Sequence, residues 1–260
     1  MEVFFIFIFG LAIGSFLNVV ICRLAEGGSP ALSLSKGLVL DRSRCPKCAH
    51  TLSWYELVPL VSFAVQRARC RACGERISWQ YPLVELATAL LFVCIYDFLP
   101  AYYHGWELAY LFFVWASLLV LFVFDLKHYI IPNKVLYPLI LVVAAHAFFG
   151  SGFMVTPYAI ASALGASGFF LVQYLVSRGR WIGFGDVKFG IFMGLFLGFP
   201  LILVAFFFSY LIGAVIGSIM LMRHFKTLQS EIPFGPFLVL GIFIAYFYGN
   251  SIISWYLNIF

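Results

Sequence analysis

WELAYLFFVWASLLVLFVFD, residues 106–125, is a membrane-spanning run that ends on a carboxylate. A helix needs about 20 predominantly apolar residues to cross a bilayer, and Trp106 to Phe124 supplies them before Asp125 closes the run. A second acid, Asp186, ends the stretch Gly183-Phe184-Gly185-Asp186 and opens another apolar segment. A carboxylate beside hydrocarbon costs roughly 2.5–3.5 kcal/mol on insertion scales, so two at one depth require a reason. Two acids that share a proton can activate water.

Extended along the chain, the same pattern gives eight candidate spans, at 3–21, 82–99, 106–124, 132–150, 157–176, 187–199, 200–222 and 236–258. With 63% hydrophobic and only 10% charged residues, the chain is too apolar for one soluble core. The expected fold is an all-α polytopic membrane protein of about eight transmembrane helices, with a small cytoplasmic zinc-ribbon-like domain between helices 1 and 2. The segment 187–199 is the weakest span, being short and ending at Pro200; without it the count is seven and the C-terminus changes side.

Charge sets the expected orientation. Nine of the 16 Lys and Arg residues lie between Arg23 and Arg76. The others are Lys127, Lys134, Arg178, Arg180, Lys188, Arg223 and Lys226. In an eight-helix topology all fall on one side, which the positive-inside rule makes cytoplasmic. The net charge of +5 therefore reads as topology and not as nucleic-acid binding. Met1-Glu2-Val3 has no basic region before the apolar run, so the first helix reads as retained and not as a signal peptide. The expected domains are a first helix at 1–22, a cysteine-rich domain at 23–81 and a membrane domain at 82–260. Gly10 and Gly14 are spaced for a close helix neighbour, and Asn18 requires a hydrogen-bond partner in lipid.

Alone, Asp125 reads as a juxtamembrane charge paired with Lys127 or Lys134, and Asp186 as a helix cap. Together, with Gly183 and Gly185 permitting close backbone approach, they fit an intramembrane acid pair. Lys188 and Lys127 are candidates to tune it electrostatically. Glu56 and Glu85 lack a partner of matching depth and flanking glycines.

Cys45-Pro46-Lys47-Cys48 and Cys70-Arg71-Ala72-Cys73 are two C-x-x-C pairs separated by 21 residues. Four thiolates suit a closed, tetrahedral structural zinc site. Dithiol redox chemistry and unligated cysteines are the alternatives. A small loop domain gains much of its folding energy from such an ion. Cys22 and Cys94, outside any pair, read as packing residues.

An ordered set of motifs resembles the type IV prepilin peptidases. It comprises Gly14-Ser15-Phe16-Leu17-Asn18 with Arg23, Arg44-Cys45-Pro46, Trp54-Tyr55-Glu56, Tyr81-Pro82-Leu83-Val84-Glu85, Asp125-Leu126, Gly183-Phe184-Gly185-Asp186-Val187-Lys188 and Pro233-Phe234-Gly235-Pro236. The resemblance implies an aspartic protease of the bacterial inner membrane with Asp125 and Asp186 as its dyad. It also implies prepilin and pseudopilin substrates, cut after glycine on the cytoplasmic side, and methylation of the new N-terminus with S-adenosylmethionine. Many members carry glycine two residues before the third cysteine, where this chain has Ala68; a tight turn there would strain alanine, which bears on the methylation step. The rival functions are a peptidase without methyltransferase activity and, from another class, a proton- or cation-binding transporter or an assembly scaffold.

Overall fold

The structure is a computed structural model that describes residues 1–26, 43–45, 47–98, 105–149, 156–222 and 232–259. Lys36, Arg42, Pro46, Arg223 and Lys226 lie outside the described residues. The helices are α1 (Glu2–Glu26), α2 (Val61–Val65), α3 (Gln80–Phe98), α4 (Trp106–His128), α5 (Asn133–Phe149), α6 (Thr156–Ser177), α7 (Phe184–Leu197), α8 (Leu201–Met222) and α9 (Gly235–Leu257). No strand forms among the described residues, only isolated bridges. Every apolar segment of the sequence is thus a helix, and the chain is a multi-pass membrane protein. Six helices (α1, α3, α4, α6, α8 and α9) are long and apolar enough to cross a membrane, whereas α5 has 17 residues and α7 only 14. The expectation of eight spans is met in length by six.

Glycine sets both ends of α7. Gly183 is its N-cap, and Gly198, at φ +67°, ends it by donating its N–H to the Gly194 carbonyl at 3.0 Å, a left-handed terminus that favours glycine. At 1.5 Å per residue the helix is only about 21 Å long.

The chain divides within α4 into two compact units, Met1–Val120 and Leu121–Phe260. In the first, α1 packs along α3. A Cβ added at Gly10 would lie 2.6 Å from Ala89 Cα, and one at Gly14 would lie 2.6 Å from Glu85 Cα, so the glycine pair sets the helix separation. Asn18, almost fully buried, donates to the Tyr81 carbonyl at 3.1 Å and accepts from Gln80 Nε2 at 3.2 Å. Its polar group is satisfied as an intramembrane carboxamide must be.

In the second unit α7 is central, with Asp186, Val187, Phe189, Gly190, Phe192, Met193, Gly194 and Leu197 buried. Lipid tails are as apolar as leucine, so close backbone approach and not water exclusion holds such helices together. Gly194 lies directly against the Ala163 backbone of α6, and Gly241 of α9 against Ser209 and Ala205 of α8. Gly194→Val should destabilise the protein by about 1–3 kcal/mol through overpacking. Gly165→Ala, whose new Cβ meets nothing within 4 Å, should leave the melting temperature in detergent unchanged. Thermal unfolding followed by size exclusion compares the two.

Candidate active site and metal-binding site

Both acids lie in the second unit and both are buried. Asp186 is the third residue of α7, and its Oδ2 reaches back to accept the Gly183 N–H at 2.9 Å. The helix-cap reading is therefore partly realised, with Gly183 in the cap position and the acid closing the turn. Asp125 is held from much farther along the chain. Its Oδ2 accepts the N–H of Gly235, the first residue of α9, at 3.0 Å. A Cβ at Gly235 would lie 2.6 Å from that oxygen, so glycine is the residue that lets α9 present its amide to the carboxylate.

Each acid thus spends one oxygen on a glycine amide at a helix start, where the helix dipole also favours negative charge. The two are close enough for the Asp125 charge to act on Asp186. Among the described residues, neither forms an ion pair with Lys127 or Lys134. Lys188 Nζ donates to Asn133 Oδ1 at 3.0 Å and lies over the rings of Phe184 and Tyr137 at 5.1 and 5.4 Å. Its cation is directed at α5 and not hydrogen-bonded to either acid. Gly185 packs on Ile131, 3.2 Å from the position of an added Cβ, and Gly183 has an ordinary negative φ. The glycine flanking Asp186 thus admits Ile131, while the amide of Gly183 is what the carboxylate uses.

The two other candidate acids hold backbone amides. Glu85 Oε2 accepts the Leu60 N–H at 2.9 Å, and Glu56 Oε2 accepts the Ser53 N–H at 2.8 Å. Both anchor turns of the cysteine-rich segment.

Two residues near the pair were not evident from the sequence. The Tyr210 hydroxyl on α8 donates to Gln173 Oε1 on α6 at 2.9 Å, and the Asp186 charge acts on it. The Tyr210 ring packs 5.2 Å from Phe234, next to Gly235. Gln173 Nε2 is buried without a partner among the described residues. The available signal was a carboxamide within an apolar run, which has to find a partner or line a cavity.

In the first unit the four cysteines converge. The Sγ atoms of Cys45, Cys48, Cys70 and Cys73 all lie within 4.8 Å of one another, with Cys45 and Cys73 at 3.9 Å. Sulfurs about 2.3 Å from a tetrahedral ion would be about 3.8 Å apart, so the spacing fits a metal. The Cys48 and Lys47 amides hydrogen-bond Cys45 and hold its thiol down to about 7. At Cys73 the Glu75 amide acts in the same direction, but burial and the three neighbouring sulfurs outweigh it and push the thiol up to about 12. Four thiols this close cannot all ionise unless a cation joins them.

Two family models match the sequence: the bacterial peptidase A24 N-terminal domain over residues 8–98 and the type IV leader peptidase family over residues 110–218. Curated relatives named prepilin leader peptidase/N-methyltransferase align along nearly the whole chain. The one from Bacillus subtilis is 34% identical over 97% of this chain and 97% of its own length. The one from Pseudomonas aeruginosa is 31% identical over 96% and 91%. The chain belongs to the type IV leader peptidase family. No solved structure matches it. Family membership across both halves gives no support to a transporter or scaffold.

In this leader peptidase family member, the turn flagged at Ala68 adopts left-handed backbone, with Arg67 at φ +51° and Ala68 at φ +56°. In the metal-free site the depressed Cys45 value means its thiolate is present above about pH 7 and lost below it. Chelator-stripped protein should therefore take up zinc readily at pH 8 and poorly at pH 6, and Cys70→Ser should take up none at either pH. Elemental analysis of desalted protein measures this.

Proposed function

We propose that this chain is an intramembrane aspartic endopeptidase that removes the short leader of type IV prepilins and pseudopilins. It cuts after glycine, on the cytoplasmic face of the bacterial inner membrane, and then methylates the new N-terminal residue using S-adenosylmethionine as methyl donor. Asp125 and Asp186 are the catalytic dyad. The ionised member takes a proton from water as the oxygen attacks the scissile carbonyl, and the protonated member hydrogen-bonds the carbonyl oxygen. Like charges at short range favour this split of protonation states.

The observation that carries the proposal is the matched anchoring of two buried acids, each by one glycine amide at a helix start. Among the described residues, the other oxygen of each accepts no hydrogen bond. The relatives, named for both activities and aligned over nearly the full chain, supply the substrate class and the methyl transfer. Lys188, bonded to Asn133, fixes the first turn of α7 against α5 and so supports the dyad by position. The cysteine-rich segment of the proposed 23–81 domain holds a structural zinc ion through Cys45, Cys48, Cys70 and Cys73. The domain follows the first helix at 1–22 and precedes the peptidase domain at 82–260. One observation favours a second reading, a peptidase without methyl transfer: Ala68 occupies left-handed backbone where many family members carry glycine.

Purified protein incubated with a prepilin, with and without S-adenosylmethionine, tests both readings by mass spectrometry. Leader loss with a cofactor-dependent gain of one methyl group is the expected result. Cleavage alone would select the peptidase-only reading. Asp125→Asn and Asp186→Asn should each lower the cleavage rate by at least about a hundredfold while the protein remains folded; normal cleavage in either rules out the dyad. Gly235→Ala, which forces Asp125 off its amide, should also reduce cleavage and leave metal content unchanged.

A further inference from the structure

Arg69 and Arg76 face each other across an isolated antiparallel bridge. The bridge is flanked by hydrogen bonds from the Cys70 N–H to the Glu75 carbonyl and from the Ile77 N–H to the Ala68 carbonyl, both 2.8 Å. That pattern makes 69 and 76 a non-hydrogen-bonded pair, the type whose side chains come closest. Like charges directly opposite one another destabilise such a pair. Arg67, whose backbone is left-handed like that of Ala68, lines the same cleft as this pair. Arg67, Arg69 and Arg76 are exposed, and no carboxylate pairs with them among the described residues. They line a cleft of about 640 Å³ with Ile77, Ser78 and Trp79.

Apolar surface adjoins these cations. Trp79 is 68% exposed and immediately precedes α3, one of the helices able to cross a membrane. Its ring packs 5.1 Å from Phe63 of α2, and Val61 and Val65 of the same short helix are also exposed. Tryptophan marks the membrane–water boundary, and clustered arginines next to a span attract anionic headgroups. A water-soluble anion would make no use of the exposed valines and indole, and a basic peptide would be repelled.

We infer that the Arg67–Arg69–Arg76 cleft binds the phosphate of an anionic phospholipid headgroup, with Trp79 and α2 resting at the interface, so that the cysteine-rich segment is docked on the leaflet that α3 enters. The anion neutralises the Arg69–Arg76 pair. Arginine suits this role because its planar fork binds phosphate oxygens in pairs.

The test is native mass spectrometry of the full-length protein in neutral detergent, titrated with phosphatidylglycerol or phosphatidylcholine. Phosphatidylglycerol should be retained selectively. Arg67→Gln/Arg69→Gln/Arg76→Gln should weaken its binding roughly a hundredfold, and Arg178→Gln/Arg180→Gln should leave it unchanged. The single variant Arg69→Gln removes the repulsion, so its lipid-free melting temperature should not fall, and phosphatidylglycerol should raise that temperature less than in the parent. Equal phosphatidylglycerol binding in the triple variant and the parent would overturn the proposal. So would displacement of the lipid by millimolar inorganic phosphate, which would mark a free-anion site, or a lower lipid-free melting temperature for Arg69→Gln, which would make the arginines structural.

Discussion

A carboxylate held by a single glycine amide is the interaction on which the second unit of this protein depends. It occurs twice, at Asp186 through Gly183 and at Asp125 through Gly235, and each amide belongs to the start of a helix. The arrangement stabilises negative charge through a backbone dipole and one hydrogen bond, without a cation that would neutralise the acid outright. A lysine ion pair at either position would lock the carboxylate in its charged form. The Lys188 side chain is instead hydrogen-bonded to Asn133 and covered by aromatic rings.

The same economy appears in the first unit, where acids serve as scaffold. Glu85 and Glu56 each accept a backbone N–H from the cysteine-rich segment, at Leu60 and Ser53. Glu85 also lies where Gly14 lets α1 approach α3, so one buried residue belongs to the helix pair and fixes the loop above it. The sulfurs then converge on geometry that a tetrahedral ion would complete.

Much of this was legible because the signals are local. Apolar runs, glycine spacing and C-x-x-C pairs report on neighbours within a few residues, so the helices, a close helix neighbour for α1 and the cysteine cluster could be anticipated. The strain expected at Ala68 could be anticipated as well, because a tight turn before Cys70 imposes its own backbone angles. What could not be read was partnership at long range. Gly235 stands 110 residues from Asp125, and nothing near either position says that its amide is the one the acid accepts. Tyr210 and Gln173, on different helices, are joined only by packing of the bundle. The ion pair that Asp125 taken alone would suggest does not form for a related reason: Lys127 and Lys134 are near in sequence, but the carboxylate accepts the distant Gly235 amide.

The shortness of α7 has its own effect on how the membrane acts upon the acids. A span that is too short ordinarily thins the surrounding bilayer or tilts, and so becomes sensitive to acyl-chain length. Here the short helix is surrounded by protein and buries eight of its residues, so hydrophobic mismatch falls on the longer helices around it. The position of Asp186 within the second unit is therefore set by the packing of Gly190 and Gly194 against α6, and a change in acyl-chain length bears on the longer helices before it bears on the acid.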